Sequence, residues 1–274
     1  LVVGMGGGVV TDLAGFVAST LNRGMPCLHV ATTLMAQVDA AIGGKTAVNL
    51  AHGKNLVGTF YQPLAVICDV ETLVTLGERE VRNGLAEVVK YGLIGDPELL
   101  ATVENRAPDL LKAEPELMTE VVARCVRYKA AIVAEDERDE TGKREWLNYG
   151  HTFAHAIEAA TGFGAVAHGE AVGLGMVLAA RAARLLDRVN DACVMRHERA
   201  VETVGLPLDL QLDFEALKSA WAHDKKYRRG VRFVLLLQPE SMEAELRERG
   251  EGVPESGVEV PDEVLAEAVG SMSR

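Results

Sequence analysis

Three of the seven histidines in this 274-residue sequence fall within eighteen positions, at His151, His155 and His168. Imidazole is the commonest metal ligand at neutral pH and the side chain best suited to proton transfer there. Asn148-Tyr149-Gly150-His151-Thr152-Phe153-Ala154-His155 sets His151 and His155 four apart, on one face of a helix. Ala167-His168-Gly169-Glu170 supplies the third imidazole. Glu87, with Lys90 three residues further along the same face, supplies a carboxylate. Two imidazoles and one carboxylate hold a divalent cation and keep a coordination position open. Two sets meet that need. One uses the pair His151 and His155, which spacing alone favours. The other uses His151 and His168 with Glu87 and frees His155 as an acid or base. His29, His52, His197 and His223 lack such company and read as core or helix-end histidines.

A second polar constellation lies in the first half. Asp39-Ala40-Ala41-Ile42-Gly43-Gly44-Lys45-Thr46-Ala47-Val48-Asn49 is followed by Gly53-Lys54-Asn55. Lys45 resembles the tail of a phosphate-binding P-loop, but the first glycine of that motif is missing, so an ATPase loop is rejected. The reading that remains is an anion-cradling loop of lysines and asparagines among glycines. Gly6-Gly7-Gly8 follows a strand and precedes a helix. It suits either close approach of backbone N–H groups to a pyrophosphate or a tight strand-to-helix turn, in equal measure. Asp12 follows in the first helical turn, placed to cap the helix or reach a ligand hydroxyl. Lys129, on an apolar helix, Arg144, able to grip a carboxylate in a bidentate manner, and the pair Lys225-Lys226 complete the candidates. The last pair reads more simply as a solvated basic turn.

These residues need elements to hold them. Strand-like Leu1-Val2-Val3, Cys27 to Val30 and Leu64 to Cys68 alternate with helical stretches, one of them Leu34 to Ala41, which predicts a parallel sheet. From about Thr72 the pattern turns helical: Glu80 to Tyr91, Pro115 to Ala134, Glu170 to Leu186, Asp191 to Val204 and Asp262 to Val269. Val231 to Leu237 is a late strand. Glu240 to Val260, acidic and broken by Gly and Pro, reads as a surface loop. Hydrophobic residues make up 48% of the chain and charged residues 25%, a globular composition. The net charge of -12 argues against a broad nucleic-acid surface, yet permits a small anionic ligand in a local pocket of Lys and Arg. No apolar run is long enough for a membrane span, and no signal-peptide pattern opens the chain. Cys27, Cys68, Cys125 and Cys193 form no CxxC and read as reduced, mostly buried thiols of a cytoplasmic protein.

In these blocks the chain resembles the 3-dehydroquinate synthase family of the sugar-phosphate cyclases. The matching segments run in family order over nearly the whole chain. They are Gly6-Gly7-Gly8-Val9 with Asp12, Arg23-Gly24, Thr32-Thr33-Leu34 to Asp39, Gly43-Gly44-Lys45-Thr46, and Gly53-Lys54-Asn55. Further on come Gly84-Leu85-Ala86-Glu87-Val88-Val89-Lys90, Asp136-Glu137, Leu147 to Thr152 with His155, His168-Gly169-Glu170, and Asp224-Lys225-Lys226. The resemblance implies a Rossmann-like α/β parallel sheet, here truncated, over residues 1–76, followed by a mainly α-helical metal- and substrate-binding domain over 77–274. It implies a lyase dependent on NAD and on Zn2+ (or Co2+) that turns 3-deoxy-D-arabino-heptulosonate 7-phosphate into 3-dehydroquinate and phosphate. The family's chemistry is transient oxidation, phosphate elimination, re-reduction and aldol cyclisation.

The resemblance also implies roles. Glu87, His151 and His168 are the metal ligands, and His155, Lys90, Lys129 and Asp39 are catalytic. Arg23, Lys45, Asn55, Arg144, Asn148 and Lys225 bind substrate, Arg23 across a homodimer interface. Gly7, Gly8, Asp12, Thr32, Thr33, Asp39, Lys54 and Thr75 contact the cofactor. Thr11 stands where the family often has Gly, a change a helix start tolerates. The family also carries an upstream α/β segment that completes the dinucleotide site. The start at Leu1, inside a strand and without Met, leads to the expectation of a fragment or a compromised homologue. Two other readings compete: another cyclase, of the 2-deoxy-scyllo-inosose or epi-valiolone type, and a non-catalytic remnant. Relatives of the valiolone type lack the second histidine of His-x-x-x-His and the Gly-Gly-Lys-Thr block, and both are intact here.

Overall fold

Val2–Gly6 (β1), Cys27–Ala31 (β2) and Ala65–Cys68 (β5) form a parallel sheet in the order β1-β2-β5. The computed structural model describes residues 1–50, 53–162, 164–223 and 231–271, with the main chain alone at 50, 53–55 and 223. The chain divides into two compact units, 1–88 with 106–140 and 89–105 with 141–274.

In the first unit β1 runs through Gly6-Gly7 into helix α1 (Gly8–Thr20), with Gly7 at the N-cap position. The turn packs tightly: an added Cβ would meet Thr33 at Gly7 and Ala40 at Gly8, each at 3.0 Å. Thr11 is buried, and its hydroxyl donates to the Gly8 carbonyl at 3.0 Å, so the helix start absorbs a side chain there. The expected helix at Leu34 to Ala41 contains a π-helical turn over Ala36–Ala40. Such turns carry one extra residue and are frequent where a side chain must be re-aimed. Buried Gln37 secures it by donating to the Ala31 and Asp69 carbonyls at 3.0 and 2.9 Å. The predicted anion-cradling loop is instead an antiparallel hairpin of β3 (Lys45–Leu50) and β4 (Gly53–Phe60), with Lys45 opposite Phe60 and Val48 opposite Val57. Thr46, Val48, Val57 and Thr59 supply the β-branched pairs that outweigh the glycines and asparagines. Helix α4 (Pro115–Glu135) begins on a Glu114 cap.

Helix α2 (Glu78–Ile94) crosses the division as one continuous element, and α3 (Pro97–Leu111) bends at Arg106, two residues before Pro108. The second unit holds α5 (His151–Ala160), α6 (His168–Leu185), α7 (Asp191–Thr203), α8 (Phe214–His223) and α10 (Asp262–Gly270). Leu174, Met176, Val177 and Leu178 of α6 are fully buried, which makes that helix the axis of the unit. Phe153, Trp221 and Phe233 join α5, α8 and a late strand through ring contacts of 4.9–5.7 Å. That strand is β6 (Phe233–Leu237), within the predicted range. The predicted surface loop 240–260 holds a short helix, α9 (Ala244–Glu248), and a strand, β7 (Val253–Val258), antiparallel to β6. Pro254 and Gly257 disguise β7 in the sequence; an edge strand tolerates both.

Helices α5 and α6 approach through two glycines. Gly150 has φ +77°, a left-handed conformation that opens α5. A Cβ at Gly175 would overlap the Gly150 carbonyl oxygen, a backbone atom that cannot turn aside. Gly175→Ala is therefore expected to destabilise the protein by about 1–3 kcal/mol in urea unfolding. Gly77→Ala, where an added Cβ meets nothing within 4 Å, is expected to cost less, under about 1 kcal/mol, the loss of a favoured N-cap residue of α2.

Candidate functional site

Glu87 on α2, His151 at the start of α5 and His168 at the start of α6 each offer a ligand atom, and these atoms lie within 4.8 Å of one another. Glu87 is wholly buried and His151 is 8% exposed. Two imidazoles and one carboxylate are a donor set that suits a divalent cation. Each ring has an oxygen beside its Nδ1. His151 Nδ1 lies 3.1 Å from the Tyr149 carbonyl, and His168 Nδ1 lies 3.4 Å from Glu158 Oε1. An oxygen acceptor at Nδ1 holds the proton there and turns Nε2 into the ligand atom. The donor set and its outer partners therefore fit a zinc-type ion.

Of the two sets open from the sequence, the gathered one is Glu87, His151 and His168. His155 stands beside it, its ring centroid 5.7 Å from that of His151, on the exposed side of α5. The difference from simple spacing is tertiary. His168 comes within 5.4 Å of His151, centroid to centroid, because α6 runs against α5. Lys90, one helical turn beyond Glu87, is 1% exposed with its ammonium 5.1 Å from the centre of the Tyr91 ring. Arg144 is 2% exposed, in a 3-10 turn over Lys143–Asn148, while Asn148 at the end of that turn is exposed.

The first unit holds a separate cluster. Lys129 of α4 donates to the Asp39 carbonyl and to Asp39 Oδ1, both at 2.6 Å, and so ties α4 to the π-helical turn. Burial pushes the Asp12 carboxyl from 3.8 up to about 7; the nearby Asp39 carboxylate adds to the rise and Lys129 opposes it. No side chain caps α1, so Asp12 acts within the cluster and not as a cap. Lys45 is half exposed and pairs with Asp139 at 2.5 Å. Thr33 accepts from the Ala36 amide at 3.2 Å and starts the π-helical turn; the Thr32 amide bonds to the Gly6 carbonyl at 2.9 Å, beside the glycine turn. Arg23 is exposed at φ +66°, and Thr75 is exposed with its hydroxyl donating to the Thr72 carbonyl. The side chains of Lys54 and Asn55, together with Lys225, lie outside the described residues.

Two contributors were not singled out from the sequence. Glu158 had a signal, because it follows His151 by seven residues and so shares its helical face. Asp139, ninety-four positions from Lys45, had none. Two histidines assigned to the core are there. His29 is 3% exposed, and His197 is fully buried, bonds to the Tyr149 hydroxyl at 2.8 Å and is pushed down to about 4 by burial.

A parallel sheet entered through a glycine turn, and a helical unit in which His151 and His168 stand together, define an α/β chain with residues suited to metal-assisted chemistry. Residues 1–83 match the family model for the 3-dehydroquinate synthase N-terminal region, and residues 84–227 match that for its C-terminal region. The chain belongs to the 3-dehydroquinate synthase family. It is 48% identical over 236 residues to the 3-dehydroquinate synthase of Geobacter metallireducens, covering 85% of this chain and 65% of that one. It is 50% identical over 238 residues to that of Methylococcus capsulatus, covering 86% and 66%. The chain thus spans just under two thirds of the length of these relatives. Among solved structures, 2-epi-5-epi-valiolone synthase from Streptomyces hygroscopicus, with NAD+ and Zn2+ bound, aligns with a TM-score of 0.85 at 28% identity, over 99% of this chain and 72% of that one. A 2-deoxy-scyllo-inosose synthase complexed with carbaglucose-6-phosphate, NAD+ and Co2+ aligns at 0.81 and 28%, over 97% and 72%. Glycerol dehydrogenase from Schizosaccharomyces pombe shares the fold, with a TM-score of 0.61 at 15% identity over 99% of this chain and 68% of that one.

The raised Asp12 carboxyl has a stability consequence. Between about pH 4 and pH 7 the folded state holds one more proton than the unfolded chain at this site, so stability falls as pH rises through that window. Asp12→Asn should flatten that fall and match the parent below pH 4, as read from urea midpoints across pH. A carbon-13 titration of Asp12 with its midpoint below pH 5 would refute the assignment.

Proposed function

We propose that this protein carries the activity of its family. It would convert 3-deoxy-D-arabino-heptulosonate 7-phosphate to 3-dehydroquinate and inorganic phosphate, with NAD and a divalent cation, zinc in the first instance. The observation that carries the reading is the gathering of Glu87, His151 and His168 within one coordination sphere, in a chain that is 48–50% identical to synthases of that name. When bound, the cation would polarise substrate hydroxyls and the nicotinamide would accept and return a hydride.

The protein's own residues would then do the following. Glu87, His151 and His168 hold the cation. His155, exposed and one turn from His151, exchanges protons with the substrate. Lys90 and Lys129 hydrogen-bond substrate oxygens; Lys129 is pre-positioned by its two bonds to Asp39. Arg144 grips the substrate carboxylate with Asn148 beside it. Lys45 exchanges its Asp139 partner for the substrate phosphate, joined by Asn55, Lys225 and Arg23. The cofactor meets the first turn of α1 at Gly7 and Gly8, whose N–H groups no side chain caps. Thr32, Thr33, Lys54, Thr75 and Asp39 line its path. Asp12, half-protonated near neutral pH, can give or take a hydrogen bond with a cofactor hydroxyl. The proposal includes a homodimer in the cytoplasm; among the described residues no helix is long and apolar enough to cross a membrane.

The test is incubation of the purified protein with NAD+, Zn2+ and the heptulosonate phosphate. Phosphate release with formation of dehydroquinate supports the reading. Turnover of heptulose 7-phosphate in its place supports a valiolone-type cyclase, and no turnover with metal bound supports a remnant. His168→Ala should lose bound zinc by elemental analysis; unchanged stoichiometry would contradict the ligand set. His155→Ala should keep the zinc and lose turnover by about 10²–10⁴-fold; loss of zinc would return the His151–His155 pair as ligands.

A further inference from the structure

The ring of His168 is held from behind by a side chain that the motif reading assigned no role. Glu158 lies on α5, seven residues after His151 and therefore on the same helical face. It is 3% exposed, and its Oε1 is 3.4 Å from His168 Nδ1. Taking a carboxylate out of water costs several kcal/mol unless a partner meets it. At the start of α6 the main chain is fixed independently, because the Glu170 carboxylate accepts from the Ala167 amide at 2.8 Å. The remaining freedom of His168 is rotation of its ring, and Glu158 acts on that rotation. The acceptor beside Nδ1 of His151 is a main-chain carbonyl, that of Tyr149. The two imidazoles are thus oriented by acceptors of different strength, and the one beside His168 carries a formal charge.

We infer that Glu158 is a positioning residue of the cation site: its buried carboxylate holds the proton of His168 on Nδ1, directs Nε2 to the cation and raises the basicity of that ring. The inference rests on the reading of Glu87, His151 and His168 as the cation site. Glu158 makes no contact with the ion in this scheme and acts only through His168. Outer partners of this kind change metal affinity by about 10–100-fold when removed.

The test is zinc affinity, measured by competition with a chromophoric chelator, on the parent protein and on Glu158→Gln. The glutamine keeps the volume and removes the charge. The expected result is zinc binding about 10–100-fold weaker, with the thermal midpoint of the metal-free protein retained and the visible absorption of the Co2+-substituted protein shifted. Zinc affinity within twofold of the parent overturns the inference. Nitrogen-15 spectra of the unsubstituted zinc-loaded protein decide the matter even if Glu158→Gln folds poorly. His168 protonated at Nδ1 and ligating through Nε2 supports the role, and ligation through Nδ1 overturns it. A parent protein that takes up no zinc overturns the cation site itself, and this role with it; parent binding with an unaffected variant overturns the role alone.

Discussion

The approach of α5 to α6 through Gly150 and Gly175 is the constraint on which the cation site depends. His151 is the first residue of α5 and His168 the first of α6. Each imidazole is therefore placed by a helix start, and the distance between the two rings follows from the separation of the two axes. A side chain at either glycine would open that separation. The left-handed turn at Gly150 also sets the direction in which α5 leaves the Lys143–Asn148 turn, and so where His151 and the Tyr149 carbonyl stand. Glu87 is carried on α2, where its neighbours Val88 and Val89 are fully buried.

The protein buries charge at a cost. Glu87, Lys90, Arg144, Lys129 and Glu158 are all less than a tenth exposed. Apolar residues of similar volume would pack as well without desolvation. Lys129 beside Asp39 and Glu158 beside His168 are buried charges of the kind that gather at functional sites. Tyr149, His197 and Cys193 contrast with these. They bury polar atoms too, but satisfy each other, with the Cys193 carbonyl 2.7 Å from His197 Nδ1, and serve as scaffold behind His151.

Much of the fold was legible in the sequence. The alternation of apolar strands with helical stretches through residue 68, and the long periodic helices thereafter, appear in the structure with ends displaced by a few residues. The missed strands share a cause. The hairpin of β3 and β4 and the pairing of β7 with β6 involve segments rich in Gly, Lys, Asn or Pro, whose local preference is for turns. Their strand character comes from a partner across the sheet, which local pattern does not report. The π-helical turn at Ala36–Ala40 is likewise held by Gln37 reaching the Asp69 carbonyl, thirty-two residues away.

For the site, residue chemistry was determined by the sequence alone: a small set of histidines, a carboxylate with a lysine on one helical face, and lysines among glycines in an otherwise acidic chain. Which of those groups meet was decided by tertiary structure. Helical spacing pointed to His151 with His155, because a single helix can bring only its own i and i+4 positions together. His168 and Glu87 reach His151 from other helices. For His168 that choice is made by packing at the two glycines, and long-range packing leaves no periodic trace in a sequence.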